Sequence, residues 1–126
     1  MTPEAADYLR HAKLALANAQ KAFSGNLFTI AAREAYIAAL NAARAIVFEK
    51  LTIASKTHSG TRSLLHQLVR EGLDIDRDTL DALTDGFKVK TNADYGPYEE
   101  IGSAKAEDVL RRAGALVSFI NSVLAK

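Results

Sequence analysis

Along the first part of the chain the apolar positions Ala5, Leu9, Ala12, Leu16, Ala19 and Phe23 recur at spacings of four and three. That period places them on one face of a helix of about twenty residues. Thr2 is suited to cap it, Pro3 to occupy its first position, and Glu4 and Asp7 to face the positive end of its dipole. Ser24-Gly25-Asn26 ends it. The next stretch, FTIAAREAYIAALNAARAIVFEKLTIAS, carries one stripe of Phe28, Ala32, Ala35, Ala39, Ala42 and Ile46 and an adjoining one of Tyr36, Leu40, Ala43 and Val47. So broad an apolar surface predicts a central helix, and its alanines let neighbouring axes come close.

After KTHSG, a short helix over TRSLLHQLVREG has the narrow stripe Leu64, Leu65, Leu68 and Val69, with its start capped by Ser59 or Thr61 and Gly72 as its stop. A loop follows at Leu73-Asp74-Ile75. Asp76 or Asp78 caps a fourth helix in which Leu80, Leu83 and Phe87 face inward, and which Gly96-Pro97 should break. Ser103 is expected to cap the last helix, whose inward stripe is Val109, Leu110, Ala113, Leu116, Val117, Ile120, Val123 and Leu124. No alternating strand pattern, internal repeat or low-complexity segment intervenes. The expectation is an all-α, antiparallel bundle of about five helices, with residues 1–126 as a single domain.

Composition narrows the functional classes. Sixteen Lys and Arg against fifteen Asp and Glu leave a net charge of +1, so nothing in the overall field draws the protein to nucleic acid or an acidic membrane. A nucleic-acid role would require a local patch. With no cysteine, disulfides, thiolate metal sites and cysteine nucleophiles are excluded together. The N-terminus lacks a basic lead and a long apolar run, and no stretch reaches the length of a membrane span, so a soluble cytoplasmic protein is expected.

The three histidines give no metal motif: His58 and His66 lie eight residues apart without an HExxH arrangement, and His11 sits beside Arg10 and Lys13 on a polar face. Asp74-Ile75-Asp76-Arg77-Asp78 alternates carboxylates but lacks the glycine and closing glutamate of a calcium loop, so capping explains it better. Phosphate-binding glycine loops and a nucleophile elbow are also missing. Two polar stretches remain. His58, at the start of a helix, either bonds a nearby backbone carbonyl or helps form an anion or hydroxyl contact. In KTNADYG, Lys90 and Asp94 are four apart, with Thr91 and Tyr95 the next such pair; the group reads as an ordinary helix-end ion pair or as a contact for a phosphate or base.

The ordered set of AAREAYIAALNAARAIVFEK, KTHSGTRSLLHQLVREG and KTNADYG, followed by an amphipathic helix, resembles the HEPN domain family, in particular its small stand-alone bacterial and archaeal members. The resemblance covers nearly the whole chain. It implies a helical bundle that forms a homodimer, with a cleft between protomers for nucleotide or RNA. It also implies, for many members, metal-independent ribonuclease activity in a toxin paired with a nucleotidyltransferase antitoxin. This chain departs from the family's Arg-x4–6-His cleavage motif: Lys90 stands at the arginine position and Tyr95 five residues on, with no histidine within six. Lysine gives up the planar fork that holds a phosphate twice, and a phenol of ordinary pKa about 10 exchanges protons poorly near neutrality.

The expectation is therefore a binding protein with no catalytic residue, metal or cofactor. Its candidate nucleotide- or RNA-binding residues are Arg33, Lys56, Thr57, His58, Lys90, Asn92, Asp94 and Tyr95. A metal-independent endoribonuclease toxin, in which His58 supplies the missing imidazole, is the first alternative. A helical interaction module without a ligand is the second.

Overall fold

A computed structural model describes the backbone of residues 1–95 and 100–126, and the side chains of 1–92 and 100–126. Its helices are α1 (Pro3–Ser24), α2 (Phe28–Leu51), α3 (His58–Arg70), the single turn α4 (Arg77–Leu80), α5 (Ala82–Tyr95) and α6 (Ser103–Leu124). This is the all-helical bundle that the periodicity predicts, with five long helices and one extra turn among the described residues. The expected break at Gly96-Pro97 lies outside the described residues.

Thr2 caps α1 as expected, its Oγ1 accepting from the Ala5 amide at 3.1 Å. The same residue donates its own amide to Glu49 Oε1 at 2.8 Å, tying the start of α1 to the end of α2. The two helices are thus aligned antiparallel, joined through Asn26, which takes the left-handed conformation that short polar side chains tolerate. At the far end of α2 the left-handed residue is Thr52, with φ 56° and ψ 34°. A β-branched residue is strained there, and it stops the helix at Leu51, short of where its apolar pattern runs out.

α2 is the centre of the bundle and packs on α1, α3, α5 and α6. Ala31, Ala32, Ala35, Ala38, Ala39, Ala42, Ala43 and Ala45 are all buried, on more than one side of it. Such small side chains permit close helix approach, while Ile46, Leu65, Leu83, Leu116 and Ile120 supply bulk to the core. α6 is held to α4 and α5 by Arg112, which is 7% exposed and donates to the Asp78 carbonyl at 2.9 and 3.1 Å and to Asp85 Oδ2 at 2.7 Å.

Four expectations are corrected. The fourth helix is divided at Asp81, with Asp76 capping only the turn α4 through the Thr79 amide. Gly102, not Ser103, is the N-cap of α6; Ser103 is already helical. Thr57, not Ser59 or Thr61, caps α3 by accepting from the Gly60 amide at 2.9 Å. Finally, Phe87 does not face inward: it is 36% exposed, and buried Gly86 occupies the inward position beside it. A Cβ at Gly86 would stand 3.3 Å from Tyr36 Cδ1 and 3.8 Å from Val109 Cγ1, so glycine lets α5 settle onto α2 and turns Phe87 to the flank.

Candidate functional site

The turned-out Phe87 does not stand alone. Its ring stacks on that of His58, with centroids 4.0 Å apart and planes inclined by 13°. Tyr36 completes the group, its ring 5.8 Å from Phe87 and 5.7 Å from His58, and its phenol oxygen 2.8 Å from His58 Nδ1. Three helices contribute one aromatic residue each: α2 gives Tyr36, α3 gives His58 and α5 gives Phe87.

Local chemistry explains why His58 arrives there. Thr57 caps α3 and makes His58 its first residue, an arrangement that stabilises a helix start by about 1 kcal/mol. The preceding loop is pinned at both sides. Arg44 on α2 donates to the Lys56 carbonyl at 3.1 Å, and the buried hydroxyls of Ser55 and Thr61 lie 2.8 Å apart, with Thr61 also donating to the Thr57 carbonyl. On the other side, Arg62 Nε donates to Thr84 Oγ1 at 2.7 Å and ties α3 to α5.

The electrostatics favour neutral aromatic groups. Burial pushes the Tyr36 phenol up to about 12, against the opposing charge of Arg44. Burial, with the nearby charge of Arg62, holds His58 below its ordinary value of 6.5. At neutral pH the pair is therefore an uncharged phenol and an uncharged imidazole, and the charges that act on them among the described residues are those of Arg44 and Arg62.

Of the residues expected at a site, His58 belongs to this cluster, Thr57 caps the helix that begins with it, and Lys56 stands exposed immediately before them. Gly86 lies over Tyr36, and Val89 packs on the cluster that holds Ala32, so α5 runs antiparallel to α2. Arg33, one turn before Tyr36, and Lys90, one turn after Phe87, therefore belong to the same end of the α2–α5 pair; both are half-buried. Asn92 is exposed. The side chains of Asp94 and Tyr95 lie outside the described residues. His58 bonds the Tyr36 phenol rather than a backbone carbonyl, and His11 is exposed beside Asp7 and Arg10. Asp76 caps and Asp78 accepts from Arg111, so these two of the alternating carboxylates serve structural roles. No group of three or more His, Cys, Asp or Glu able to hold a metal ion gathers among the described residues. Nor is any described helix long and apolar enough to cross a membrane.

The HEPN domain family matches residues 5–123. The chain belongs to the HEPN family. It is similar to a UPF0332 protein of Archaeoglobus fulgidus, with 30% identity over 118 residues that take in 94% of this chain and 93% of that protein. The crystal structure of TT1696 from Thermus thermophilus superposes with a TM-score of 0.80 over 96% of this chain and 98% of that one; at 23% identity this likeness shows the fold.

Within this HEPN domain, Tyr36, Phe87 and Arg62 are the site residues that sequence reasoning missed. Periodicity alone assigns Tyr36 and Phe87 to apolar stripes. The signal present in the sequence is the phenol of Tyr36 among alanines, because a buried tyrosine hydroxyl calls for a polar partner. His58 is that partner.

Proposed function

We propose that this HEPN protein binds a nucleotide or single-stranded RNA on the face formed by Tyr36, His58 and Phe87, as a binding protein rather than a nuclease. The observation that carries the reading is the exposed Phe87 ring, stacked on a histidine that is itself fixed by a buried phenol. A purely structural phenylalanine gains most by burial, whereas a partly exposed flat ring offers a base a stacking partner worth about 1–3 kcal/mol. Exposed Lys56 and Arg62 supply charge for phosphates next to it. Lysine at position 90 and the neutral His58–Tyr36 pair support binding over cleavage, since cleavage by the family's usual route asks for arginine with a proton-exchanging histidine. On the same reading the protein works as a homodimer, and a small nucleotidyltransferase partner would make the two a toxin-antitoxin pair.

The test is an anisotropy titration with a labelled single-stranded RNA of about ten nucleotides and a parallel ATP titration, on the wild type, Phe87→Ala and His58→Ala. Phe87→Ala should weaken binding about tenfold, the loss of one stacked base. An absence of saturable binding at low salt, or equal affinity in a folded Phe87→Ala variant, would sink the proposal. RNA cut in EDTA by the wild type but not by His58→Ala would favour the endoribonuclease instead.

A further inference from the structure

We infer that Tyr36 holds His58 as the tautomer protonated on Nε2, and that His58 Nε2–H and the Arg62 guanidinium together form a phosphate subsite. The inference rests on the reading that this face binds nucleotides.

The Tyr36 oxygen and His58 Nδ1 are 2.8 Å apart, and that distance alone allows either to donate. Their surroundings decide between the two. Tyr36 is 4% exposed, among alanines and Gly86, and His58 is its hydrogen-bond partner among the described residues. Were Nδ1–H the donor, the phenol proton would be left buried with no acceptor among the described residues. When the phenol donates, Nδ1 accepts and the proton moves to Nε2, on a ring that is only half-buried and can meet water or ligand. The unfavourable tautomer should be rarer by about tenfold or more, the usual penalty for one orphaned buried hydroxyl. Stacking on Phe87 opposes a ring flip that would put the Cδ2 carbon in the place of Nδ1 beside the phenol.

Arg62 lies one turn after His58 on α3, a spacing that sets both on one side of the helix. Its Nε is committed to Thr84 Oγ1 at 2.7 Å, which fixes the guanidinium and leaves its terminal nitrogens to donate elsewhere. The nearness of this charge also keeps the imidazole neutral. A fixed cation beside a fixed neutral donor matches a phosphate oxygen, which only accepts. With its Nδ1 lone pair occupied by Tyr36, His58 is a donor to the ligand and has no free lone pair to act as a base. Tyr36 is thus a positioning residue, acting through His58.

Two-bond 15N–1H correlation spectra at about pH 8, where histidine is neutral, read the tautomer directly. The wild type should show His58 protonated on Nε2, and Tyr36→Phe a mixture of both forms. In calorimetric titrations with AMP and with adenosine, Tyr36→Phe and Arg62→Gln should each weaken AMP binding by about fivefold to tenfold and leave adenosine nearly unchanged. A wild-type His58 protonated on Nδ1, or a tautomer unaltered by Tyr36→Phe, would overturn the role given to Tyr36 whether or not nucleotides bind. Equal losses for AMP and adenosine would overturn the phosphate subsite while leaving nucleotide binding intact. If neither compound nor RNA bound the wild type, the nucleotide reading and the subsite would fall together.

Discussion

Arg112→Met tests how the site's scaffold is held. Arg112 sits in α6 beneath the junction of α4 and α5, and Asp85, its closest carboxylate, immediately precedes the Gly86 and Phe87 that build the site. Burial works against its charge, but Asp85, Asp78 and Asp108 outweigh it and raise its pKa. Methionine keeps an unbranched apolar stem of similar size, so the change removes mainly the charge and its hydrogen bonds. Breaking a buried pair typically costs about 3–5 kcal/mol, because the partner is stranded. Here Asp85 and Asp78 are 47% and 54% exposed and can rehydrate, while the Asp78 carbonyl loses two charged donors. The expected net loss is then about 2–3 kcal/mol, or a fall in Tm of about 10 °C for a chain of this size.

The neighbouring Arg111 gives an internal control. It is 57% exposed and contacts the same Asp78 and Asp108, so Arg111→Met should leave the unfolding midpoint nearly unchanged. Urea unfolding followed by circular dichroism at neutral pH measures both. Equal losses for the two variants, or less than about 1 kcal/mol for Arg112→Met, would refute the argument that burial sets the worth of this contact.

Stability should also depend on pH in two windows. Burial, with the charge of Arg62, holds both His58 and His66 below 6.5, so the unfolded chain takes up protons first; stability is fully present above pH 6.5 and declines as pH falls beneath it. Urea midpoints that stay flat between about pH 6.5 and 5, above the carboxylate range, would contradict this. Tyr36, raised from 10.0 to about 12, works in the other direction, with stability present below pH 10 and lost as pH rises toward 12. Two pKa units set an upper bound of about 3 kcal/mol, reduced by screening to about 1–2 kcal/mol, and Tyr36→Phe should abolish that alkaline loss. Thr52→Gly should stabilise by about 0.5–1 kcal/mol, since glycine adopts the left-handed conformation freely; a higher Tm confirms it and a lower one refutes the strain at this cap.

The apolar stripes made most of the bundle legible, because burial on helices obeys one period and α2, with alanines on several sides, had to be central. What sequence could not reveal lay where one small residue redirects a large one. Gly86 occupies the inward position that a reading of period alone gives to Phe87, and that exchange of places brings Phe87 to His58. Likewise, Thr52 ends α2 without glycine or proline to mark the stop. The polar stretch KTHSG holds His58 of the cluster and the cap of its helix, although that cap is Thr57 and not the expected Ser59 or Thr61. Its partner Tyr36 was hidden by sharing a stripe with alanines, 22 residues away in the chain.

Amide correlation spectra of the labelled protein, titrated with single-stranded RNA of about ten nucleotides at low salt, locate the binding face without any substitution. Saturable shifts should be largest at Tyr36, at His58 to Arg62 on α3 and at Gly86 to Lys90 on α5. Shifts confined to surfaces away from these three segments, or none at saturating RNA, would contradict a nucleotide-binding face at Tyr36, His58 and Phe87.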